Sequence, residues 1–298
     1  MPPSPAYQFS LDAKELSYSQ LVAVIKTKTA NGMVPNFWQP QGISYDRTEP
    51  PIGAKVLHEI FTRWQEPWIV ELLFEDCYDW VQWFFRRRRG DPNGLIVLGT
   101  DSIGTDKARA TMQGARYESG LDNSPMYDGD FFELNASTGT GKMLLYDVGM
   151  SSMVAMELKA LAELALTAFT PPRKDVHDSL TKQLAELSGL VADHLWNDDL
   201  GVFANKWSGS NDTFYNRISP TSFYPMQAGI ATDAQAETMV TKWLTPKDRF
   251  CVAVDGDSKG NTPACHWGLP SISADDPAFP PLGYWRGYVV RATLYCSV

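Results

Sequence analysis

The segment PWIVELLFEDCYDWVQWFFRR, residues 67–87, constrains the fold more than any other stretch. Proline stands at its first position, where a missing N–H costs nothing because the first helical turn leaves it unpaired anyway. Apolar residues then recur at steps of three and four, as one helix face turned to a core requires. Other stretches read the same way. IGAKVLHEIFTRW (52–64) follows the pair Pro50 and Pro51, and SMVAMELKALAELALTAF (152–169) is built almost wholly of strong helix formers. After Pro172, the residues Val176, Leu180, Leu184, Leu187, Val191 and Leu195 mark a further face. DAKELSYSQLVAVIKTKTANG (12–32) opens with Asp12 and Glu15 in capping-box spacing and closes on Asn-Gly. YPMQAGIATDAQAETMVTKWL (224–244) gives one or two helices more.

Long, aromatic, glycine-rich loops join these segments: PNFWQPQGISYDRTEPP, the stretch from GDPNG at 90 to NSP at 125, and NDDLGVFANKWSGSNDTFYNRISPTSF. Loops of this length without secondary structure of their own carry function more often than not. Helical hairpins alternating with such loops predict an all-α fold, an α/α toroid with its loops gathered at one end. A helical-repeat scaffold is the alternative, but no motif recurs at a fixed period. LYDVGMSS (145–152) could begin as a short strand but reads mainly as the approach to a helix.

Charge and composition exclude several functions. With 26 basic against 35 acidic residues, the formal net charge of -9 argues against nucleic acid as a partner. The run RRRR at 86–89 reads as the solvated or substrate-side end of a helix, where arginines suit the dipole. No apolar run is long enough to predict a membrane span. The start, MPPSPAYQFSLDAKE, lacks the basic and apolar regions of a secretory signal, so the cytoplasm is the default expectation. Sequons at Asn135 and Asn211 are no more than chance supplies. Cysteines 77, 251, 265 and 296 form no C-x-x-C pair, and the adjacent His266 has no partner at zinc-site spacing; buried free thiols are expected.

The stretch YESGLDNSP (117–125) places two carboxylates, Glu118 and Asp122, around a glycine and ends in proline. Gly120 and Pro125 break a helix, so the acids belong to a turn at the end of an element. Such a turn either caps something or holds an acid in a pocket. Desolvation keeps a pocketed acid protonated, as glycoside cleavage requires of the group that protonates the leaving oxygen. Arg47, in SYDRTEPP, either pairs internally with Asp46 or Glu49 or presents its fork to a ligand from a proline-stiffened loop. In YWRG (284–287), Trp285 and Arg286 together suit the face and the hydroxyls of a sugar.

The chain resembles glycoside hydrolase family 63, which includes processing α-glucosidases and mannosylglycerate-hydrolase-like enzymes, and is similar to the related family 37 trehalases. The matching stretches are GMVPNFW (32–38), SYDRTEPPIGA (44–54), DPNGLIVLGTDS (91–102), ESGLDNSPMYD (118–128), ISPTSFYPMQAGIAT (218–232) and GYWRG (283–287), in family order. The resemblance implies a single, incomplete (α/α)6 six-hairpin catalytic domain over 1–298 that hydrolyses an α-linked glucoside or mannoside with inversion. It implies Asp122 as the general acid, Gly120 with its backbone against the sugar, Arg47 facing the substrate and Trp285 lining the pocket. Glu118 and Asn123 follow from their place in the motif, as orienters of Asp122 or as sugar contacts. A carbohydrate is the implied substrate, and acid–base hydrolysis calls for no metal or cofactor.

The chain departs from the family in three places. Glu49 stands where the family has glutamine, and a carboxylate cannot donate a hydrogen bond unless protonated. After YWRG the chain reads YVVRATLYCSV, where the family continues to its general base glutamate. An early Trp-Asp segment has no counterpart. The resemblance therefore implies truncation at both ends, half of the catalytic pair, and activity near background for this chain alone. A non-catalytic carbohydrate-binding or interaction fragment is the alternative reading.

Overall fold

The computed structural model describes residues 12–40, 42–129, 131–208, 213–251, 268–279 and 283–287. Among them the helical segments stand where the sequence places them. Helix α1 spans Lys14–Ile25, α2 Gly53–Trp64 and α3 Pro67–Arg87. Helix α3 turns Ile69, Val70, Leu73, Phe74, Cys77, Trp80, Val81 and Phe84 into the core. The expected capping box of α1 does not form. Ala13 is its N-cap with no side-chain bond, and the helix ends at Ile25, short of the Asn-Gly.

Helix α5 (Val148–Thr167) is buried nearly all round, with Met150, Val154, Leu158, Leu161 and Leu164 inside, while α6 (Lys174–Leu195) buries only the stripe Leu180, Leu187, Val191 and Leu195. A helix apolar on every side sits inside its bundle and an amphipathic one outside it, so α5 is central and α6 covers it. Two buried carboxylates tie α5 to its neighbours. Asp147 caps it, taking Met150 N–H at 2.7 Å, and also accepts the Tyr127 hydroxyl at 2.7 Å. Glu157, on one side of the same helix, accepts Ala54 N–H at 2.7 Å and Lys55 N–H at 2.8 Å. It thereby supplies the N-terminal cap that Ile52 cannot give α2. Burial pushes the Glu157 carboxyl up to about 7.

The all-α expectation requires correction. A five-stranded antiparallel sheet runs in the order β3 (Val97–Thr100), β5 (Gly141–Tyr146), β8 (Asn205–Trp207), β9 (Phe214–Tyr215), with β4 (Phe132–Leu134) also on β5. Short hairpins pair β1 (Trp38–Gln39) with β2 (Gly42–Ile43) and β6 (Trp196–Asn197) with β7 (Val202–Phe203). Most of these strands occupy stretches read from sequence as loops, β4 and the start of β5 fall between the segments read, and LYDVGMSS does begin as a short strand, inside β5, before α5 starts at Val148. Short α4 (Met112–Glu118) leads into the acid turn. The segment 224–244 gives α7 (Tyr224–Gln227), α8 (Asp233–Met239) and one π turn (Val240–Leu244).

Asn135 serves the β4–β5 hairpin, its side chain accepting Ser137 N–H at 2.9 Å and Thr138 N–H at 3.1 Å. Cys77 is free and buried as expected, whereas Cys251 is disulfide-bonded, which corrects the reading of free thiols throughout. Asn211, Cys265, His266 and Cys296 lie outside the described residues.

Candidate active site

The acid turn is built by its own sequence. Helix α4 ends at Glu118, Ser119 is its C-cap, and Gly120 follows at φ +72°. That left-handed conformation is the helix stop glycine provides. The position is also crowded, since a Cβ on Gly120 would lie 3.1 Å from Pro50 Cγ. The chain then turns through Leu121–Ser124, closed by Ser124 N–H to Leu121 O at 2.9 Å. Ser124 caps the single 3-10 turn that Pro125 opens. Gln113 Nε2 holds the Asp122 carbonyl at 2.9 Å and Arg116 Nη2 holds the Ser124 carbonyl at 3.0 Å, so the turn is tied back to α4 from both sides.

Beneath it lies a buried ion pair. Arg88 and Glu118 are fully buried, with Arg88 Nε to Oε2 at 2.7 Å and Nη2 to Oε1 at 2.9 Å. Glu118 also accepts Thr48 N–H at 3.0 Å and Gly99 N–H at 2.7 Å. Burial pushes its carboxyl up, opposed by Arg88 and by these two amides. One carboxylate thus clamps the acid turn, the Arg47 loop, strand β3 and the end of α3. Gly99 makes room for the clamp, because a Cβ there would fall 2.9 Å from Arg88 Nε and 2.8 Å from the Gly141 carbonyl. The Arg run is therefore a solvated helix end only in part: Arg86 and Arg89 are exposed, whereas Arg88 is buried beneath the site. Arg88 is the keystone of the site, and Arg87 pairs with Asp101 at 3.1 Å. With both oxygens occupied, Glu118 positions the turn and does not present itself to a ligand.

Arg47 comes from the facing loop, which pairs antiparallel with Val34–Asn36 through Glu49 N–H to Val34 O at 3.0 Å and Asn36 N–H to Arg47 O at 3.2 Å. Trp80 anchors that loop by donating to Thr48 Oγ1 at 2.8 Å. The Arg47 guanidinium is buried between the Tyr117 and Phe37 rings, 4.9 and 5.5 Å away. It bonds Asp46 at 2.7 Å and Asp106 at 3.3 Å. Arg47 is thus paired internally with Asp46 and Asp106, and not with Glu49.

Asp122 is half-buried. Burial pushes its carboxyl up from the usual range, against a hydrogen bond from Tyr284 and the charges of Arg47 and Arg116. Residues 283–287 approach from the other side. Trp285 is buried, and its backbone N–H donates to Asn123 Oδ1 at 2.9 Å, locking this turn onto the acid turn. Arg286 pairs with Asp128, which Arg116 also contacts at 3.4 Å. Tyr284 holds φ +37° and stands exposed beside Asp122. Glu49 is buried and accepts Asn36 Nδ2 at 3.2 Å; burial, with the Asp122 charge adding to it, pushes its carboxyl up to about 8. At neutral pH it is protonated, so it retains the donor that sequence reasoning denied it.

The turn bearing Asp122 and Asn123, the loop bearing Arg47 and Glu49, and Trp285 thus converge. Around them, among the described residues, Arg47 Nε, Asp46 Oδ1, Arg116 Nε and Trp285 Nε1 are buried without a hydrogen-bond partner. Unpaired buried polar atoms are costly and few in native proteins, and a cluster of them marks a place built for something besides stability. Sequence reasoning missed Arg88, Asp101, Asp106 and Tyr284. Tyr284, inside YWRG, Arg88, inside the Arg run, and Asp101, inside DPNGLIVLGTDS, left a trace there; Asp106 left none. Among the described residues, no group of histidine, cysteine or carboxylate side chains has metal-binding geometry, and no helix is long and apolar enough to cross a membrane.

A family model described as the mannosylglycerate hydrolase MGH1-like glycoside hydrolase domain matches residues 10–289. The structure is similar to a family 63 mannosylglycerate hydrolase from Thermus thermophilus in complex with Tris, with a TM-score of 0.71 at 16% identity over 98% of this chain and 77% of the other. Neutral trehalase Nth1 from Saccharomyces cerevisiae aligns with a TM-score of 0.63 at 15% identity, covering 91% of this chain and 55% of the trehalase. In sequence, the cytosolic neutral trehalase of Emericella nidulans is 27% identical over 158 residues, 49% of this chain and 21% of that protein. The chain therefore spans about a fifth of the curated trehalase it matches.

Proposed function

Since the chain belongs to the MGH1-like glycoside hydrolase family, related to the trehalases, we propose that it cleaves an α-linked glucoside or mannoside of a small saccharide or oligosaccharide with inversion, on an (α/α)6 scaffold. Asp122 is the general acid. It protonates the departing glycosidic oxygen as the bond to the anomeric carbon breaks, so the leaving group departs as an alcohol rather than an alkoxide. The observation that carries this reading is the environment of Asp122: a half-buried carboxyl whose desolvation outweighs the nearby positive charges, on a turn fixed from three sides. A carboxyl whose surroundings favour its protonated form and which cannot swing away is what acid catalysis needs.

The surrounding residues divide the remaining work. Arg47, held by Asp46 and Asp106, and the buried Trp285 back the sugar-facing wall. Neutral Glu49 adds a donor, Asn123 holds the Trp285 turn in place, and the backbone at Gly120 lets the wall close against the sugar. Arg286, tied to Asp128, frames the rim. No cofactor enters this chemistry.

Inversion also needs a second carboxylate about 6.5–9.5 Å away to activate water. Glu118 is occupied by Arg88 and two amides, Asp128 by two arginines, and Glu49 is protonated at neutral pH. These observations favour a second reading, a pocket that binds saccharide with little turnover. Proton NMR of the chain with methyl α-glucoside, methyl α-mannoside, trehalose and mannosylglycerate separates the two. Early appearance of the β-anomer supports inverting hydrolysis, and binding without product supports the second reading. The α-anomer alone as first product, or neither binding nor product, refutes both.

A further inference from the structure

A hollow lies beside the Arg47 loop. This cleft of about 430 Å³ is lined by the β1–β2 hairpin, chiefly Trp38, Pro40 and Ile43, and by Tyr45, Gly104 and Thr105. Trp38 is 60% and Tyr45 42% exposed, although most of the aromatic residues are at least partly buried. Single exposed apolar residues are ordinary; two large aromatics on one concave surface are a binding feature. The hairpin sets Trp38 directly across from Ile43. Gly104, at φ +87°, lies close against Tyr45, where a Cβ would come within 3.3 Å of Tyr45 Cβ.

The cleft is joined to the acid through Arg47. Phe37, next to Trp38, faces the guanidinium at 5.5 Å, and Asp106, next to Thr105, accepts from it at 3.3 Å. The charge of Arg47 in turn acts on Asp122. Arg47 thus touches sequence neighbours of the cleft lining and acts by its charge on the acid. The lining offers flat aromatic faces with an amide, Gln39, and backbone polar groups at the rim. That combination fits the apolar face and the ring of hydroxyls of a pyranose.

We infer that this cleft is a distal saccharide subsite, in which Trp38 and Tyr45 receive a further sugar residue of an α-linked oligosaccharide whose scissile end lies at Asp122. The inference rests on the glycosidase reading and adds to it a preference for chain length. The hairpin then selects oligosaccharides over simple alkyl glycosides, because a monosaccharide glycoside reaches Asp122 without touching Trp38.

Isothermal titration calorimetry with methyl α-glucoside, maltotriose, methyl α-mannoside and an α-linked mannotriose tests it on the wild-type chain, Trp38→Ala and Tyr45→Ala. The expected result is tighter wild-type binding of one trisaccharide than of its methyl glycoside. Each substitution should weaken that trisaccharide by about tenfold, the worth of one buried aromatic contact, with methyl glycoside binding unchanged. Circular dichroism confirms that these exposed positions leave the fold intact. Equal affinities for short and long ligands, or equal losses for both in the variants, overturn the subsite while leaving the glycosidase reading standing. No binding of any ligand by the wild-type chain overturns both.

Discussion

Glu49 carries the clearest physical consequence of the site's construction. Its carboxyl is buried, receives one amide hydrogen bond among the described residues, from Asn36, and is pushed up to about 8 from an ordinary 4.5. Below pH 4.5 it is protonated in both folded and unfolded chains and has no effect on the balance between them. Between there and about 8 the unfolded chain releases this proton and the folded chain keeps it, so stability falls as pH rises. One proton of difference corresponds to about 1.4 kcal/mol per pH unit, or about 4 kcal/mol between pH 5 and pH 8. Glu49→Gln keeps the shape and an acceptor for Asn36 and removes the titration. Urea unfolding of both proteins at about pH 5 and about pH 8 should show similar stabilities at the lower pH and a clear advantage for the variant at the higher. Glu157, pushed up to about 7, contributes the same kind of slope, but it is present in both proteins and drops out of the difference. Parallel stability profiles would refute the claim that Glu49 is held neutral. The same logic expects Glu49→Gln to tighten saccharide binding chiefly above about pH 8, where the wild-type carboxyl ceases to donate.

Two other perturbations probe the scaffold. Arg88→Met leaves Glu118 buried without its counter-ion and should cost about 3–5 kcal/mol in chemical denaturation, whereas adding Glu118→Met should recover much of that loss, since removing both charges avoids the desolvation cost; a double variant no better than the single would contradict the clamp. Gly120→Ala should cost about 1–2 kcal/mol from the left-handed backbone alone. It should weaken saccharide binding further by pressing on Pro50, and wild-type behaviour in both assays would show that the turn is free to relax.

The helices were legible because their signals are local. Pro67 starts α3 and the spacing of its apolar residues carries it to Arg87, while Pro50 and Pro51 announce α2. Beyond the hint of a short strand at LYDVGMSS the sheet was not legible, because its strands are only two to six residues long; TGTGKMLLY has no alternation to distinguish a strand from a loop. Only tertiary pairing of β5 with β3, β4 and β8 makes it one. Asp122 and its turn followed from Gly120 and Pro125, residues that act on their own neighbours. Arg88 did not, since a run of four arginines gives no hint of which one meets Glu118 far along the chain. The protonation of Glu49 was equally hidden, because it depends on burial beside Asp122 and not on the identity of the residue.

The direct test of Asp122 as the general acid compares leaving groups. Fluoride departs without a proton, whereas the alcohol of a methyl or sugar α-glycoside does not. Turnover of α-glucosyl and α-mannosyl fluoride should therefore survive Asp122→Asn with less than about a tenfold loss, while the corresponding alkyl glycosides should lose about 10²–10⁴-fold. Equal losses on both substrates, or a wild-type chain that turns over neither, would contradict the assignment.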